Sequence, residues 1–285
     1  MAENKGILYL VGTPIGNLED LSPRAVRILS EVDLVAAEDT RQTRKLFTRF
    51  SISNRMTSIH RHNEKEKALW LVSQLEKGLS VALVSDAGMP AIADPGEVIV
   101  RKAAEAGIIV QSIPGPSAVL AALSLSGLDT SRFAFEGFLP KSGKLRRQRI
   151  EALKDERRTM VFYSGPHQIL RDLADLFEAW GERKASVSRE MTKLYEETRR
   201  GTLSSLTASW SGEPPLGELV LVVAGAPLRE EEVSWESVLG QVRMLTEEGM
   251  RLKEASGKVA QRHGLSRRDV YNRCIAEKEH DGNDS

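Results

Sequence analysis

Short turns rich in glycine, proline and serine follow several apolar runs of the chain, and each of them could hold a ligand. The first turn, residues 12–17, follows the apolar run at residues 7–11. Glycines at such a place let the backbone approach a ligand closely, at the sheet edge where α/β proteins bind ligands. The spacing G-x-x-x-G fits neither the dinucleotide-binding fingerprint nor the phosphate-binding loop. By itself, this turn is explained as well by structure as by function.

Three further turns of this kind occur later, at residues 85–90, 114–118 and 162–167. The second of these opens a helix, whose first N–H groups could bind a carboxylate. Each turn could be an ordinary connection between a strand and a helix. Four of them together predict one ligand-binding cleft between two domains.

A concentrated polar group, Glu38-Asp39-Thr40-Arg41, follows another apolar run. Its carboxylates could act as acids or bases, although a helix N-cap with its ion pair is the structural alternative. Residues 60–64 contain two histidines and Glu64, but this spacing matches no common set of metal ligands. We therefore expect hydrogen bonding or RNA contact there, and no metal site.

Two clusters of positive charge stand out in a chain whose formal net charge is zero. Residues 141–149 carry five basic residues and no acid, and residues 251–273 carry seven against two acids. One basic run is usually a solvated face, but two in a neutral chain favour a nucleic-acid surface. The predicted RNA-binding residues are Arg41, Lys141, Lys144, Arg146, Arg147, Arg267 and Arg268.

The elements that position these residues alternate between strand and helix in the first half of the chain. Strands are predicted at residues 7–11, 33–37, 81–85 and 108–113, with helices at 22–30, 64–77 and 94–107. Ser22-Pro23 and Asp94-Pro95 are typical of helix starts. This alternation predicts an α/β fold with a largely parallel sheet.

Strands dominate the next part of the chain, which predicts a second α/β domain with a mixed sheet. They are expected at residues 133–138, 159–163, 185–191 and 217–223, with helices at 116–126, 145–153 and 167–180. A helical unit follows, in which a glycine-containing turn and Ser266 separate two helices, as in a helix-turn-helix. The predicted domains are residues 1–115, 116–227 and 233–276.

Composition sets the broad class. The chain has 285 residues, of which 41% are hydrophobic and 28% charged, the composition of a globular protein of two domains with an appendage. A single cysteine, Cys274, excludes an internal disulfide and a cysteine-cluster metal site. We find no signal-peptide core and no apolar run of about 18 residues, and therefore expect a cytoplasmic protein with no membrane partner.

Seven motifs occur together, in an order and spacing that are typical of one family. They are LVGTPIGNL (10–18), AEDTR (37–41), HNE (62–64), SDAGMP (85–90), PGPSA (114–118), FEGFLP (135–140) and REMTK (189–193). Through them the chain resembles the small-subunit ribosomal RNA methyltransferases of the tetrapyrrole-methylase superfamily, over nearly its whole length. The resemblance implies a two-domain fold, a homodimer, and S-adenosylmethionine bound in the cleft. It also implies a substrate, the ribose 2′-oxygen of a decoding-centre cytidine of 16S rRNA in the 30S subunit.

The resemblance also implies roles for individual residues. The expected cofactor site comprises Thr13, Pro14, Ile15, Gly16, Asp86, Ala87, Gly88, Met89, Pro114, Ser117, Ala118, Tyr163, Leu219, Ala224 and Gly225. A ribose hydroxyl is a poor nucleophile that benefits from a base or from a positive group beside the alkoxide. The catalytic candidates are Glu38, Asp39, Lys193 and Glu196, with Arg41 orienting a carboxylate or a phosphate. The chain departs from the family where it has Ser164 instead of an expected glutamate, and Gln168 instead of a basic residue.

Two other functions stay open. One is a tetrapyrrole (precorrin-type) C-methyltransferase, against which the basic clusters and the C-terminal unit argue. The other is a non-catalytic RNA-binding factor in ribosome assembly.

Overall fold

The computed structural model describes residues 5–210, 215–227 and 235–281. Contacts between residues divide the chain into two compact units, residues 1–226 and 227–285. Apart from residue 227, both predicted α/β domains therefore fall within the first unit. Residue 233, where the helical domain was expected to begin, lies outside the described residues.

The first half of unit 1 is a parallel sheet with its connecting helices. Its elements are β1 (Ile7–Val11), α1 (Pro23–Glu31), β2 (Leu34–Ala37), α2 (Thr40–Arg49), β3 (Met56–Ser58), α3 (Glu64–Glu76), β4 (Val81–Val84), α4 (Glu97–Glu105) and β5 (Ile109–Ile113), with a short 3-10 turn at Leu18–Asp20. The strand order is β3-β2-β4-β1-β5, and every neighbouring pair is parallel. The predicted fold class is confirmed.

Helices cover this sheet on both faces, which explains why its central strands are continuous apolar runs. All four residues of β4 are buried. Val84 belongs to a core with α1 and α2, and Leu83 belongs to a second core with α3 and α4. Alternate residues of β4 thus pack into two separate cores, one on each face of the sheet.

One of the two predicted helix starts is confirmed, and the other is wrong. Ser22 caps α1 by accepting a hydrogen bond from the N–H of Ala25. Asp94 does not cap α4, because that helix begins after Gly96. The Glu64 carboxylate accepts the Gly96 N–H instead, so the cap comes from α3.

The second half of unit 1 is the predicted mixed sheet. Its elements are α5 (Ala118–Ser126), β6 (Phe133–Phe138), α6 (Gly143–Ala152), β7 (Thr159–Ser164), α7 (Ile169–Trp180), β8 (Lys184–Arg189), β9 (Glu197–Thr202), α8 (Leu203–Ser209) and β10 (Leu219–Val223). The order is β6-β7-β10-β8-β9. Strands β6 and β7 are parallel, whereas β10 is antiparallel to both of its neighbours. Helix α5 packs on one face, and α6, α7 and α8 pack on the other.

Unit 2 consists, in its described part, of the helices α9 (Trp235–Glu247), α10 (Leu252–His263) and α11 (Arg267–Asp281). They share a small apolar core that includes Val238, Val259 and Val270. Gly264 ends α10 in a left-handed conformation, so the helix–turn–helix sequence is as predicted. Helix α11 continues past residue 276, the predicted end of the domain. None of the helices in the described ranges has the length and apolar character needed to cross a membrane.

Candidate active site

All five strands of the first sheet end at one edge, because they run parallel. The predicted turns at residues 12–17, 85–90 and 114–118 follow β1, β4 and β5, and Glu38 and Asp39 follow β2. The neighbours β2, β4, β1 and β5 therefore bring four groups of predicted site residues together at this edge, which we call the carboxyl edge.

Two glycines approach each other at the carboxyl edge more closely than any other residue type allows. A Cβ atom on Gly12 would lie 2.7 Å from the Cα of Gly115, and one on Gly115 would lie 2.8 Å from the Cα of Gly12. The Gly12 N–H also donates to the Ile113 carbonyl at 3.0 Å. The first and third turns thus meet backbone to backbone, and a ligand at this place would contact main chain.

A pair of hydrogen bonds ties the first turn to the second. Thr13 and Gly88 exchange N–H···O bonds of 2.9 and 3.0 Å, and the buried Thr13 hydroxyl donates to the Ser85 carbonyl. Gly88 has φ +79°, and its missing Cβ would lie 3.5 Å from the Pro116 carbonyl and 3.6 Å from Ile15. The first three predicted turns are therefore packed together at one point.

The remaining predicted cofactor residues of the first sheet are in these same turns. Ser117 is the N-cap of α5, and its hydroxyl accepts a hydrogen bond from the Leu120 N–H. The helix therefore points its N-terminus at the carboxyl edge. The other members are Pro14, Gly16, Asp86, Ala87, Met89, Pro114 and Ala118.

Carboxylates line the carboxyl edge beside these turns. The Asp86 carboxylate accepts the Asp39 N–H at 3.1 Å, and the Glu38 carboxylate accepts the Asp86 N–H at 3.4 Å. Burial raises the pKa of Glu38, and the negative charge of Asp94 raises it further. A carboxylate with a raised pKa is a better proton acceptor than an exposed one.

Asp94, which the sequence predicts to be a helix cap, is a member of this group. Burial raises the pKa of its carboxyl group, while the positive charge of Arg61 lowers it. The loop that carries it has positive φ at Ala91 and Ala93. Because this unusual backbone path brings Asp94 to Glu38, no spacing in the sequence indicated the contact.

Asp39 has the structural role that we gave as the alternative. Its side chain caps α2 and binds Arg41 through two hydrogen bonds of 3.1 and 2.8 Å. The Arg41 guanidinium lowers the Asp39 pKa to about 2. Asp39 is therefore a much weaker base than Glu38.

Residues 190–196, between β8 and β9, bring Lys193 to the site, and we call them the 190–196 loop. Glu190 and Thr192 have positive φ. The Glu196 carboxylate accepts the Thr192 N–H at 2.6 Å, and Lys193 forms a 3.0 Å ion pair with Glu190. A Cβ on Gly16 would lie 2.7 Å from the Lys193 Cγ, so the loop packs directly against the first glycine turn.

Tyr163, at the end of β7, faces the same region. Its ring makes an edge contact with Phe135, at 5.0 Å between centroids. Burial raises the Tyr163 pKa, and the charges of Asp94 and Glu218 add to this effect. The end of the second sheet that carries Tyr163 and Lys193 therefore faces the carboxyl edge of the first.

The prediction that Ala224 and Gly225 line the cofactor site is wrong, whereas the one for Leu219 stays a prediction. Because β10 is antiparallel to β7, Leu219 lies opposite Ser164, and Ala224 and Gly225 lie at the far end of the sheet. Gly225 packs there against the Arg157 carbonyl. Leu219 is at the correct end, but its side chain is buried in the core beneath α7.

The prediction that Arg146 binds RNA is also wrong. Its side chain is 2% exposed and forms ion pairs with Asp172 at 2.8 Å and Asp175 at 2.5 Å. The hydroxyl of Ser164 donates to the same Asp172 at 2.5 Å. Ser164, the first departure from the family, thus belongs to a buried polar cluster. Gln168, the second, precedes α7 and makes no capping bond through its side chain.

The other predicted RNA-binding residues are exposed. Lys141, Lys144 and Arg147 lie at the surface around α6. In unit 2, Arg267 and Arg268 are exposed as well, and the Arg267 guanidinium donates to the Lys253 carbonyl.

Helix α2 carries a basic surface that the sequence analysis missed. Its members Arg41, Arg44, Lys45 and Arg49 are all exposed, and we call them the α2 ridge. Among the described residues, Arg41 alone of the four pairs with a carboxylate. The helix begins at Thr40, directly after its N-cap Asp39, so the ridge starts at the carboxyl edge. The available signal was four cations and no acid in ten residues.

No group of three His, Cys, Asp or Glu side chains within the described ranges is arranged to hold a metal ion. Glu64 is engaged in capping α4. His60 and His62 pack ring to ring, 6.0 Å apart.

Comparisons with known proteins agree with this architecture. The tetrapyrrole (corrin/porphyrin) methylase family matches residues 7–207. Two similar relatives are the ribosomal RNA small subunit methyltransferases I of Halalkalibacterium halodurans, 46% identical over 95% of each chain, and of Synechocystis, 45% identical over 97% of this chain and 100% of the relative. Among solved structures, a diphthine synthase aligns with a TM-score of 0.60 at 19% identity, covering 77% of this chain and 90% of its own. The uroporphyrin-III C-methyltransferase of Thermus thermophilus aligns with a TM-score of 0.54 at 22% identity, covering 78% and 96%. These two structures show the fold alone.

Proposed function

The chain belongs to the tetrapyrrole methylase family, and from that premise we propose that it methylates small-subunit ribosomal RNA, on the ribose 2′-oxygen of a decoding-centre cytidine in 16S rRNA. It is an S-adenosylmethionine-dependent methyltransferase, as its family and its relatives are. The relatives at 45–46% identity are named for small-subunit ribosomal RNA. The observation that carries the RNA assignment is the α2 ridge, because it begins at the carboxyl edge beside Glu38.

The residues at the carboxyl edge fit S-adenosylmethionine, which supplies an activated methyl group on a sulfonium centre. Gly12 and Gly115 bring the first and third turns into backbone contact, so a ligand bound against these turns would meet main-chain groups. The N-terminus of α5 suits the carboxylate of the methionine part, because the first N–H groups of a helix lack partners within the helix. The Asp86 carboxylate could accept hydrogen bonds from the amino group or the hydroxyl groups of S-adenosylmethionine.

We assign the acid–base role to Glu38. Its pKa is raised by burial, and its carboxylate can take the proton that a ribose hydroxyl loses as it attacks the methyl group. Asp39 caps α2 and holds Arg41, which would meet a phosphate near the target nucleotide. A general base typically contributes about 10²- to 10⁴-fold to the rate.

Lys193 supplies the positive charge in this scheme. Its ammonium group, held by Glu190, would stabilise the developing alkoxide. Glu196 binds the Thr192 N–H and fixes the loop. We therefore propose that Glu196 is a positioning residue, not a base.

Further features of the proposal come from the family resemblance. They are a cytoplasmic homodimer that acts on 16S rRNA or the 30S subunit, and a role in RNA binding for the helical unit at residues 233–276. The exposed Arg267 and Arg268 support that role. We also propose the domain division at residues 1–115 and 116–227, and the two separate sheets support it, since α5 packs on the second.

The proposal is tested by transfer of a labelled methyl group from S-adenosylmethionine to naked 16S rRNA, to 30S subunits and to a porphyrin precursor. We expect labelled RNA, with the label on a ribose 2′-oxygen of cytidine. Label in the porphyrin would support the tetrapyrrole C-methyltransferase, and RNA binding without transfer would support the assembly factor.

The residue roles are tested in the same assay under single-turnover conditions. We expect Glu38→Gln to slow transfer by about 10²-fold or more while S-adenosylmethionine binding is retained. Glu105→Gln, which removes an exposed carboxylate paired with Lys102 on α4, is the matched control and should leave the rate unchanged. If Glu38→Gln and Lys193→Ala both retain the wild-type rate, the assignment of these two residues is wrong.

A further inference from the structure

The 190–196 loop holds two large apolar side chains out in solvent. Leu194 is 88% exposed and Tyr195 is 73% exposed. Single exposed apolar residues are common on protein surfaces, but two adjacent ones beside a candidate active site form a small patch that suggests a ligand contact.

The backbone of the loop is firmly fixed on both sides of these residues. The Lys193 N–H donates to the Glu190 carbonyl at 3.0 Å, and the Glu196 N–H donates to the Lys193 carbonyl at 3.1 Å. The Glu196 carboxylate in turn accepts the Thr192 N–H. Leu194 and Tyr195 therefore form the tip of a closed turn, and their side chains project into solvent instead of packing against the protein.

The position of the loop relates this tip to the chemistry. Lys193, directly before the two residues, packs against Gly16 of the first glycine turn. The tip therefore follows directly on Lys193, which the proposed function places beside the ribose hydroxyl that is methylated. A group that contacts the tip would belong to the nucleotide being methylated or to its neighbour.

We propose that Tyr195 is a positioning residue that stacks on an unpaired nucleobase of the RNA substrate, with Leu194 packing at the edge of that base. This inference rests on the proposed function. Proteins recognise RNA mainly where bases are unstacked, and they stack such bases on aromatic rings. Every base offers a π-face, so the interaction fixes a nucleotide in place without selecting its sequence.

The area of the patch favours a base over a second protein chain. A stable contact between proteins buries about 800 Å² on each partner, from 20 or more residues. One aromatic ring and one leucine match the face of a single base.

The experiment compares Tyr195→Ala, Tyr195→Leu and Tyr195→Phe in the full-length protein. We measure kcat and KM for RNA methylation, the affinity for S-adenosylmethionine and the molecular mass in solution. We expect Tyr195→Ala to lower kcat/KM for RNA on the order of 10- to 100-fold, which corresponds to the usual stacking energy of one base. Tyr195→Phe should restore most of the wild-type value and Tyr195→Leu should not, because stacking needs a planar ring. Affinity for S-adenosylmethionine should not change in any of them.

A fluorescent cytidine analogue at the methylated position gives a direct signal. Its emission should be quenched when wild-type protein or Tyr195→Phe binds, and should remain high with Tyr195→Ala. Phe177→Ala is the control, because this ring is 41% exposed on α7 and belongs to neither the 190–196 loop nor the carboxyl edge.

Three results would overturn the inference. If Tyr195→Ala methylates RNA as wild type does, only the stacking role fails, and the proposed function stands. If Tyr195→Ala shifts the molecular mass towards a smaller species, the tip is a contact between copies of the chain. If the wild-type protein neither binds nor methylates RNA, the proposed function fails, and the stacking role fails with it.

Discussion

Helices α2 and α6 each carry four basic residues, but the burial and the ion pairs of these side chains differ. In α6, Arg146 is buried between two aspartates, and Arg149 pairs with Glu136. In α2, all four basic side chains are exposed, and within the described residues Arg41 alone among them has a carboxylate partner. Within the described residues, helix α6 therefore has two exposed cations without a carboxylate partner, Lys144 and Arg147, whereas α2 has three.

The difference between the two helices follows from helical spacing. Arg146 stands four residues before Ile150 and seven before Leu153, both of which are buried, so it lies on the inward face of α6. The α2 cations are spaced so that they share the outward face, opposite the buried Leu46 and Phe47. A basic cluster thus indicates a nucleic-acid surface only for those cations that lie outside the apolar stripe of their helix.

The largest effect that we expect from this comparison is on stability. Arg146→Ala should destabilise the protein by about 3–5 kcal/mol, because it leaves buried Asp172 without its counter-charge. Arg147→Ala, one residue away on the exposed face, should change stability by no more than about 0.5 kcal/mol. Urea unfolding of both variants provides the measurement. A loss below about 1 kcal/mol for Arg146→Ala would contradict the structural role that we give to this side chain.

The second prediction concerns RNA affinity. Replacing Arg44, Lys45 and Arg49 with glutamine should reduce the slope of log K against log salt by about 2, because each phosphate contact on a single strand contributes about 0.7. The matched control changes Lys141, Lys144 and Arg147 to glutamine, which removes three exposed cations around α6. RNA binding is titrated at several salt concentrations. If the control lowers the slope as much as the α2 variant does, the two helices do not differ as proposed.

The α/β fold could be predicted from the sequence because buried parallel strands are apolar runs. Strand β1 was predicted with its observed bounds, and β4 to within one residue. The edge strands β3 and β9 were missed, because their residues are only partly buried and carry few apolar side chains. Helix α2 was missed for a related reason, since its charged face obscured the apolar positions.

The site could be predicted where it depends on local sequence, and not where it depends on topology. The glycine and proline turns are local, and the structure brings those of the first sheet to one edge. Gly225 was assigned to the site through the family resemblance together with the rest of its strand, and the antiparallel direction of β10 puts it at the opposite end of the sheet from Leu219. Asp94 was misread because only the tertiary path of its loop brings it to Glu38.

The smallest effect that we expect comes from replacing Asp39, whose surface ion pair with Arg41 can be compared with the buried pair of Asp172 and Arg146. Like Asp172, it pairs with an arginine, but at the surface, where ion pairs contribute little. Its pKa in the folded protein is about 2, below the ordinary value of 3.8. The ionised pair therefore stabilises the protein above about pH 4, and this contribution is lost as the pH falls through 2.

Asp39→Asn keeps a capping oxygen for α2 and removes only the charge. Its melting temperature should be slightly lower than that of the wild type at pH 7, and the difference should disappear near pH 2. Because the α2 ridge then gains one net positive charge, RNA should bind more tightly, with a steeper salt dependence. Weaker RNA binding by Asp39→Asn would instead mean that Arg41 must be held by Asp39 in order to meet a phosphate.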